Sequence, residues 1–200
     1  GKGTQAKILS DKLNFPHLST GEILRKISNK KNSIGLEIKE TMSKGNLVSD
    51  KMILNIVKQR IEMKDCKEGF IFDGFPRNII QAENLDIIMN DKNKIINFVI
   101  HIDVPEEILI KRITGREVCE NCSTIYNKYY NPFPKDGCVK CGKDKVIIRS
   151  DDDLEAFKNV RLNKYKEDTL PLVNFYTKKQ NLFTFNGEGN SIEISNNIFK

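Results

Sequence analysis

Phe70-Ile71-Phe72-Asp73-Gly74-Phe75-Pro76-Arg77 is the stretch on which the fold turns. Phe70-Ile71-Phe72 is a short apolar run between Gly69 and Asp73-Gly74, the pattern of a buried strand. Asp73 then stands at the carboxyl end of that strand. Ligands gather there in open α/β sheets, and an acid there can hold a metal ion through water. Arg77, at the start of the next helix, can clamp a phosphate through two parallel hydrogen bonds. Gly74 and Pro76 alone would read as a β-turn, but a turn gives no reason for the charged residues on either side of it.

Upstream, Gly1-Lys2-Gly3-Thr4 opens a helix whose apolar positions are Ala6, Leu9 and Leu13. A lysine and backbone N–H groups at a helix N-terminus suit a phosphate, although four residues also fit a chance terminus. Phe15 to Leu18 reads as a short strand. Ser19-Thr20-Gly21 reads as a cap before Ile23, Leu24 and Ile27, with Arg25 on the next turn. Ser33 can cap a further helix ending at Gly45, and Asp50 one with Ile53, Ile56, Val57 and Ile61 inward.

Downstream, a helix runs through Gln81 to Met89, and Phe98 to Ile102 is a second buried strand. Pro105 starts a helix into Ile108 to Ile113. Gly115 to about Asp152 loses the helical period and reads as a small β-rich insert. Helical pattern returns from Leu154 to Thr169, Phe183 to Phe185 is a late strand, and a last helix begins near Ser191. Alternating strands and helices predict an α/β fold, a parallel sheet with crossover helices.

Four of the five cysteines form the pattern Cys119-x2-Cys122-x15-Cys138-x2-Cys141. Two thiolate knuckles at this spacing predict a tetrahedral zinc site, closed to catalysis because all four positions are protein sulfur. Cys66 reads as a buried core residue. Paired thiols imply a reducing intracellular compartment, the cytoplasm, with a mitochondrion or other organelle left open because the chain begins without methionine. No run approaches the roughly 18 apolar residues of a membrane helix, so no membrane partner is expected.

The net charge is +6, from 33 Lys and Arg against 27 Asp and Glu, which suits an anionic partner or simply a solvated lysine-rich face. Arg112, Arg116, Arg149 and Arg161 cluster at the borders of the insert, as for a polyanion. His17 and His101 lie in or beside apolar strands and read as structural. A zinc-ribbon nucleic-acid-binding protein is the competing class, but it leaves the strand–Asp73–Arg77–helix unit unexplained.

Together these residues resemble the adenylate kinase family over essentially the whole chain. Gly1-Lys2-Gly3-Thr4-Gln5, Ser19-Thr20-Gly21, Gly45-x-Leu47-Val48, Asp73 to Arg77, Gln81, Arg112 with Arg116, and Arg149-x-Asp151-Asp152 occur in the family's order. The cysteine insert is similar to the zinc-bearing lid of its long members. The resemblance implies a P-loop nucleoside monophosphate kinase fold with three parts. Residues 1–18, 49–114 and 153–200 would form the core, 19–48 the AMP-binding part and 115–152 the zinc lid. It implies reversible, Mg²⁺-dependent phosphoryl transfer from ATP to AMP, giving two ADP, by a monomer without nucleic acid as a partner.

By the same resemblance, Gly1, Lys2, Gly3, Thr4, Arg112, Arg116, Ile125, Tyr126 and Gly189 would bind the donor nucleotide. Thr20, Arg25, Asn46, Leu47, Val48, Gly74, Phe75, Pro76, Arg77, Gln81, Arg149 and Arg161 would bind AMP, with Gln81 reading the adenine. Lys2, Asp73, Arg77, Arg116, Arg149 and Arg161 would serve catalysis, Asp73 by holding Mg²⁺ through water. Two departures stand out. The family's first strand and the front of its phosphate loop are missing before Gly1, so the chain reads as truncated. The Arg149 to Arg161 segment is one residue longer than the usual pattern. Thr184 to Ile194 is somewhat similar to the GTP-using relatives, which keeps a GTP:AMP phosphotransferase as the alternative.

Overall fold

The computed structural model describes residues 1–149, 152, 160 and 162–200. The described chain divides into two compact units. The first comprises Gly1–Thr41, Leu47–Asp103 and Lys164–Lys200, and the second Met42–Asn46 and Val104–Asn163.

In the first unit, α1 (Lys2–Leu13) leads into β1 (His17–Ser19), and α2 (Thr20–Ser28), α3 (Ser33–Ser43) and α4 (Asp50–Ile61) precede β2 (Ile71–Asp73). β1 and β2 pair in parallel, with Ser19 opposite Asp73. α5 (Ile79–Asp91) follows, then β3 (Val99–Asp103). Near the C-terminus come α8 (Pro171–Lys178), β7 (Leu182–Asn186) and α9 (Ser191–Ile198). β7 pairs in parallel with β3, from Val99 opposite Leu182 to Asp103 opposite Asn186. The expected α/β class with parallel pairing is thus present.

Local chemistry explains most boundaries. Asn78 caps α5 by accepting from the Gln81 N–H at 2.8 Å. Asn32, rather than the expected Ser33, caps α3, its Oδ1 accepting from the Gly35 N–H at 2.8 Å. Ser49 is the N-cap residue of α4, which leaves the Asp50 carboxylate for another partner. Gly45 follows α3 with φ of 73°, the left-handed conformation expected of a residue just past a helix. The hydrophobic period does not announce α8. Pro171 sits in its first turn, where a missing N–H costs nothing, and restarts the helix beyond Thr169.

Core packing follows the predicted face of α4. Ile53, Val57 and Ile61 of α4 are buried, as are Ala82, Leu85 and Met89 of α5, and the two helices pack together. Ala82, Leu172 and Tyr176 form a cluster with Ile79, Val99, Phe175 and Leu182. Cys66 is fully buried, with the Arg60 guanidinium donating to its sulfur at 3.0 Å. His101 lies 3.4 Å from the Thr184 hydroxyl across β3 and β7, a strand contact in line with its structural reading.

The second unit holds α6 (Glu106–Thr114) and an antiparallel three-stranded sheet in the order β5 (Ile125–Asn127), β4 (Arg116–Cys119), β6 (Val146–Ile147). It ends in α7 (Leu162–Lys164, the last residue counting with the first unit), and Leu162 packs on Ile113. A π-helical turn, Tyr165–Thr169, leads from there to α8. The β-rich insert is therefore as expected. Much of the Leu154–Thr169 helix lies outside the described residues. Among the described residues no helix is long and apolar enough to cross a membrane.

Leu85 is 1% exposed. Leu85→Ala is expected to lower unfolding stability by about 2–5 kcal/mol, the range for a buried leucine that leaves a cavity. Chemical denaturation checks it.

Candidate phosphate and nucleotide site with a four-thiol cluster

Asp73 ends β2 and is 8% exposed. Three groups crowd its carboxylate. Lys2 Nζ lies 3.0 Å from Oδ1, and His17 Nε2 lies 3.2 Å from Oδ2. Gly3 comes so close that a Cβ there would sit 3.1 Å from Oδ2, so the first turn of α1 rests on the acid. Burial alone would raise the Asp73 pKa. The hydrogen bond from His17 and the charge of Lys2 reverse this and hold the carboxyl well below its ordinary value. A helix N-terminus, a lysine and an ionised acid at a strand end form the set that a phosphate and its cation require. Thr4 lies in the same turn of α1.

No local signal in the sequence joins His17 to this site. Only the parallel β1–β2 pairing brings it to Asp73.

A second group lies just beyond the same strand end. Thr20 opens α2, and its hydroxyl donates to the Gly74 carbonyl at 2.9 Å. Arg77 Nε donates to that carbonyl at 2.9 Å. Gly74 has φ of +78°, and a Cβ there would lie 3.2 Å from Arg77 Nη2 and 3.3 Å from Thr20 Oγ1. The site therefore needs glycine both for its backbone and for the space. Arg25 folds back over Gly21, where a Cβ would meet its Nη2 at 3.2 Å. Phe75 is buried edge-to-face against Phe72, and Pro76 follows through a cis peptide bond. The Thr169 hydroxyl donates to the Arg77 carbonyl at 2.7 Å.

Gln81 is 2% exposed, and its amide is held at both ends. Its Oε1 accepts from the Arg77 N–H at 2.7 Å, and its Nε2 donates to Asp50 Oδ1 at 2.7 Å. Leu47 and Val48 are half-buried in the loop before α4. Asn46 is exposed and belongs to the second unit. Gly189, with φ of 92°, precedes the Asn190 cap of α9.

In the second unit, the sulfurs of Cys119, Cys122, Cys138 and Cys141 all lie within 4.8 Å of one another. Cys119 and Cys141 are 3.6 Å apart, Cys122 and Cys138 3.5 Å. No disulfide joins them. A tetrahedral ion bound at about 2.3 Å would space its sulfurs roughly 3.8 Å apart, so the donor set fits a metal closely. Burial would raise the Cys138 thiol pKa, but the Tyr126 hydroxyl, donating at 3.2 Å, and the N–H groups of Lys140 and Cys141 bring it well below the usual thiol range. Tyr126 in turn accepts from the Val139 N–H at 3.0 Å. Its ring packs edge-to-face on Phe133. Tyr126 is thus 2% exposed and faces the cysteines, while Ile125 beside it is 42% exposed.

Arg112 lies over the Tyr130 ring at 5.8 Å, and its carbonyl accepts from Asn127 at 2.9 Å. Arg116 opens β4 and pairs with the buried Asp152 at 3.4 Å. The Arg149 carbonyl accepts from the Asp152 N–H at 3.0 Å. Arg161 and Asp151 lie outside the described residues.

Among its described residues the unit that carries the four cysteines has few large buried side chains, so removing a bound metal with a chelator should lower the thermal midpoint; calorimetry with and without chelator reads this. Asp73, with its pKa depressed from 3.8, stabilises the fold fully above about pH 4 and loses that contribution as the pH falls below it. Asp73→Asn should therefore flatten the dependence of thermal midpoint on pH below about 4, in a series of melts.

A family model described as adenylate kinase matches residues 1–181. The chain is 44% identical over 199 residues to the adenylate kinase of Thermodesulfovibrio yellowstonii, covering 99% of this chain and 92% of that one. It is 46% identical over 199 residues to the adenylate kinase of Methanosarcina barkeri, covering 99% and 91%. The adenylate kinase of Clostridium kluyveri is 44% identical over 190 residues, covering 94% and 87%. With the strand-end acid, the adjoining arginine and the four-thiol cluster in place, these matches show that the chain belongs to the adenylate kinase family.

Proposed function

We propose that this chain catalyses reversible, Mg²⁺-dependent phosphoryl transfer from ATP to AMP, yielding two ADP. The observation that carries the reading is the double use of one strand end. Asp73 meets Lys2 and the first turn of α1, while Gly74, the next residue, meets Thr20 and Arg77. Two anionic groups can thus be served from neighbouring residues.

Lys2 and the backbone of Gly1, Gly3 and Thr4 are assigned to the donor phosphates, and Arg112 to the donor base. Ile125, Tyr126 and Gly189 are assigned to the donor side; the inward face of Tyr126 leaves its backbone for that contact. Thr20, Arg25, Asn46, Leu47, Val48, Gly74, Phe75, Pro76, Arg77 and Gln81 are assigned to AMP. Arg116, Arg149 and Arg161 are assigned to the transferring group, Arg116 also to the donor nucleotide and Arg149 and Arg161 also to AMP. Residues 19–48 then form the AMP-binding part and 115–152 the lid. Mg²⁺ carried by the nucleotide supplies positive charge at the phosphate oxygens, and Asp73, kept ionised by its neighbours, would hold it. Zn²⁺ on Cys119, Cys122, Cys138 and Cys141 would staple the small sheet and leave no position open for substrate.

The chemistry needs position and positive charge more than covalent help. An in-line transfer spreads negative charge over the equatorial oxygens of the moving group. Guanidinium groups already fixed by hydrogen bonds, as Arg77 is through Gly74, meet that charge without reorganising. Water must be kept out, or the triphosphate is hydrolysed instead.

Arg77→Ala and Arg116→Ala are each expected to cut turnover at least about a hundredfold, the scale of losing one charge-stabilising donor. Arg77→Ala keeps a thermal midpoint near wild type, whereas Arg116→Ala lowers it by stripping the buried Asp152 of its guanidinium. A coupled assay for ADP run with ATP and with GTP against AMP checks both the variants and the donor base. Near-wild-type turnover in either variant overturns the assignment, and a higher rate with GTP replaces ATP as the donor.

A further inference from the structure

We infer that Asp50 is the specificity-setting residue behind the acceptor base: it fixes which way round the Gln81 amide faces, and so makes the site read adenine and reject guanine. The inference rests on the reading that the base of AMP meets Gln81.

An amide side chain can turn over about its last bond, exchanging its carbonyl for its NH₂ at almost no steric cost. What holds one orientation is the set of partners. At Gln81 both partners are single-valued. The Arg77 backbone N–H can only donate, and it points at Oε1 from 2.7 Å. The Asp50 carboxylate, when ionised, can only accept, and its Oδ1 lies 2.7 Å from Nε2. The same oxygen accepts from Asn78 Nδ2 at 3.0 Å. Asn78 is also the cap whose Oδ1 takes the Gln81 N–H at 2.8 Å, so its own amide is fixed as well. A reversed Gln81 would set donor against donor at Arg77 and acceptor against a carboxylate at Asp50. Because Gln81 is 2% exposed, water is poorly placed to repair either clash.

With those two contacts made, the Gln81 amide retains one N–H and one carbonyl lone pair. That pair complements an acceptor beside an exocyclic donor, the N1 and N6 edge of adenine. Guanine presents the opposite order there, a donor N1–H beside the acceptor O6. A guanine base would need the reversed amide, and a site that leaves buried polar groups mismatched discriminates strongly. Asparagine at position 50 weakens the lock. Its own amide can turn to donate, so a reversed Gln81 no longer meets a charge there and is opposed only by the Arg77 contact and by the donor of Asn78 that the turned amide would face.

The test measures kcat and KM for AMP and for GMP, with ATP as donor, in wild type, Asp50→Asn, Gln81→Ala and the double variant. Asp50→Asn is expected to raise the KM for AMP about tenfold with kcat changed less than about threefold, and to narrow the AMP-to-GMP ratio of kcat/KM about tenfold, the scale of one charge-assisted hydrogen bond. The ratio does not depend on the fraction of molecules folded, so a destabilised variant still reports. On the Gln81→Ala background, Asp50→Asn should add little, since Asp50 acts through Gln81. If Gln81→Ala raises the KM for AMP but Asp50→Asn moves neither KM nor the ratio, the inference is overturned and the base reading stands. An equal effect of Asp50→Asn on both backgrounds also overturns it. If Gln81→Ala leaves the KM for AMP unchanged, the base reading fails and the Asp50 assignment falls with it.

Discussion

A nearly buried carboxylate at the end of a strand is the constraint to which the first unit answers. Asp73 cannot be removed from water as an anion without partners, because isolated charge in a low-dielectric interior is costly. The fold supplies them from two separate places, the first turn of α1 with Lys2 and β1 with His17. Each partner is already positive or a donor, so the acid stays ionised. The glycines around it follow from the same demand. Gly3 lets the helix approach the carboxylate, and Gly74 turns the chain away with a backbone that other residues adopt only with strain.

The second unit solves a different problem, that of holding a small sheet together with little apolar matter. Val139 is 79% exposed and Ile148 71%, so side-chain burial contributes modestly there. The four sulfurs and the rings of Tyr126 and Phe133 form its one compact cluster, among the described residues, besides the Ile113–Leu162 contact. Tyr126 belongs to this support through its hydroxyl on Cys138. Arg116 and Asp152 show the other use of charge, a guanidinium held in place by a buried acid before any ligand enters.

Much of this was legible from the sequence because the signals are local. The strand before Asp73 and the Cys-x-x-Cys pairs each declare themselves within a few residues. The inward face of α4 was readable from period alone. What stayed hidden depends on contacts across the chain. His17 reaches Asp73 only through strand pairing, and Asp50 reaches Gln81 over 31 positions. Asp50 read as a cap because a helix start is the commonest place for such a residue. Tyr126 read as a donor-binding residue of the lid, and its turn toward the thiols stayed hidden, since alternation along a short strand does not reveal which side is the inside.

The four-sulfur cluster has the chemistry to keep two kinds of cation apart within one chain. Sulfur donors with no oxygen or nitrogen among them favour soft, polarisable ions, while carboxylate and phosphate oxygen favour hard ones. The abundant hard ion that travels with nucleotides therefore has little purchase on the thiols, and an ion caught by the thiols is not drawn off by phosphate. A metal held by the four sulfurs would therefore be rinsed by nucleotide and its counter-ion, turnover after turnover, without the rivet of the smaller sheet being washed out.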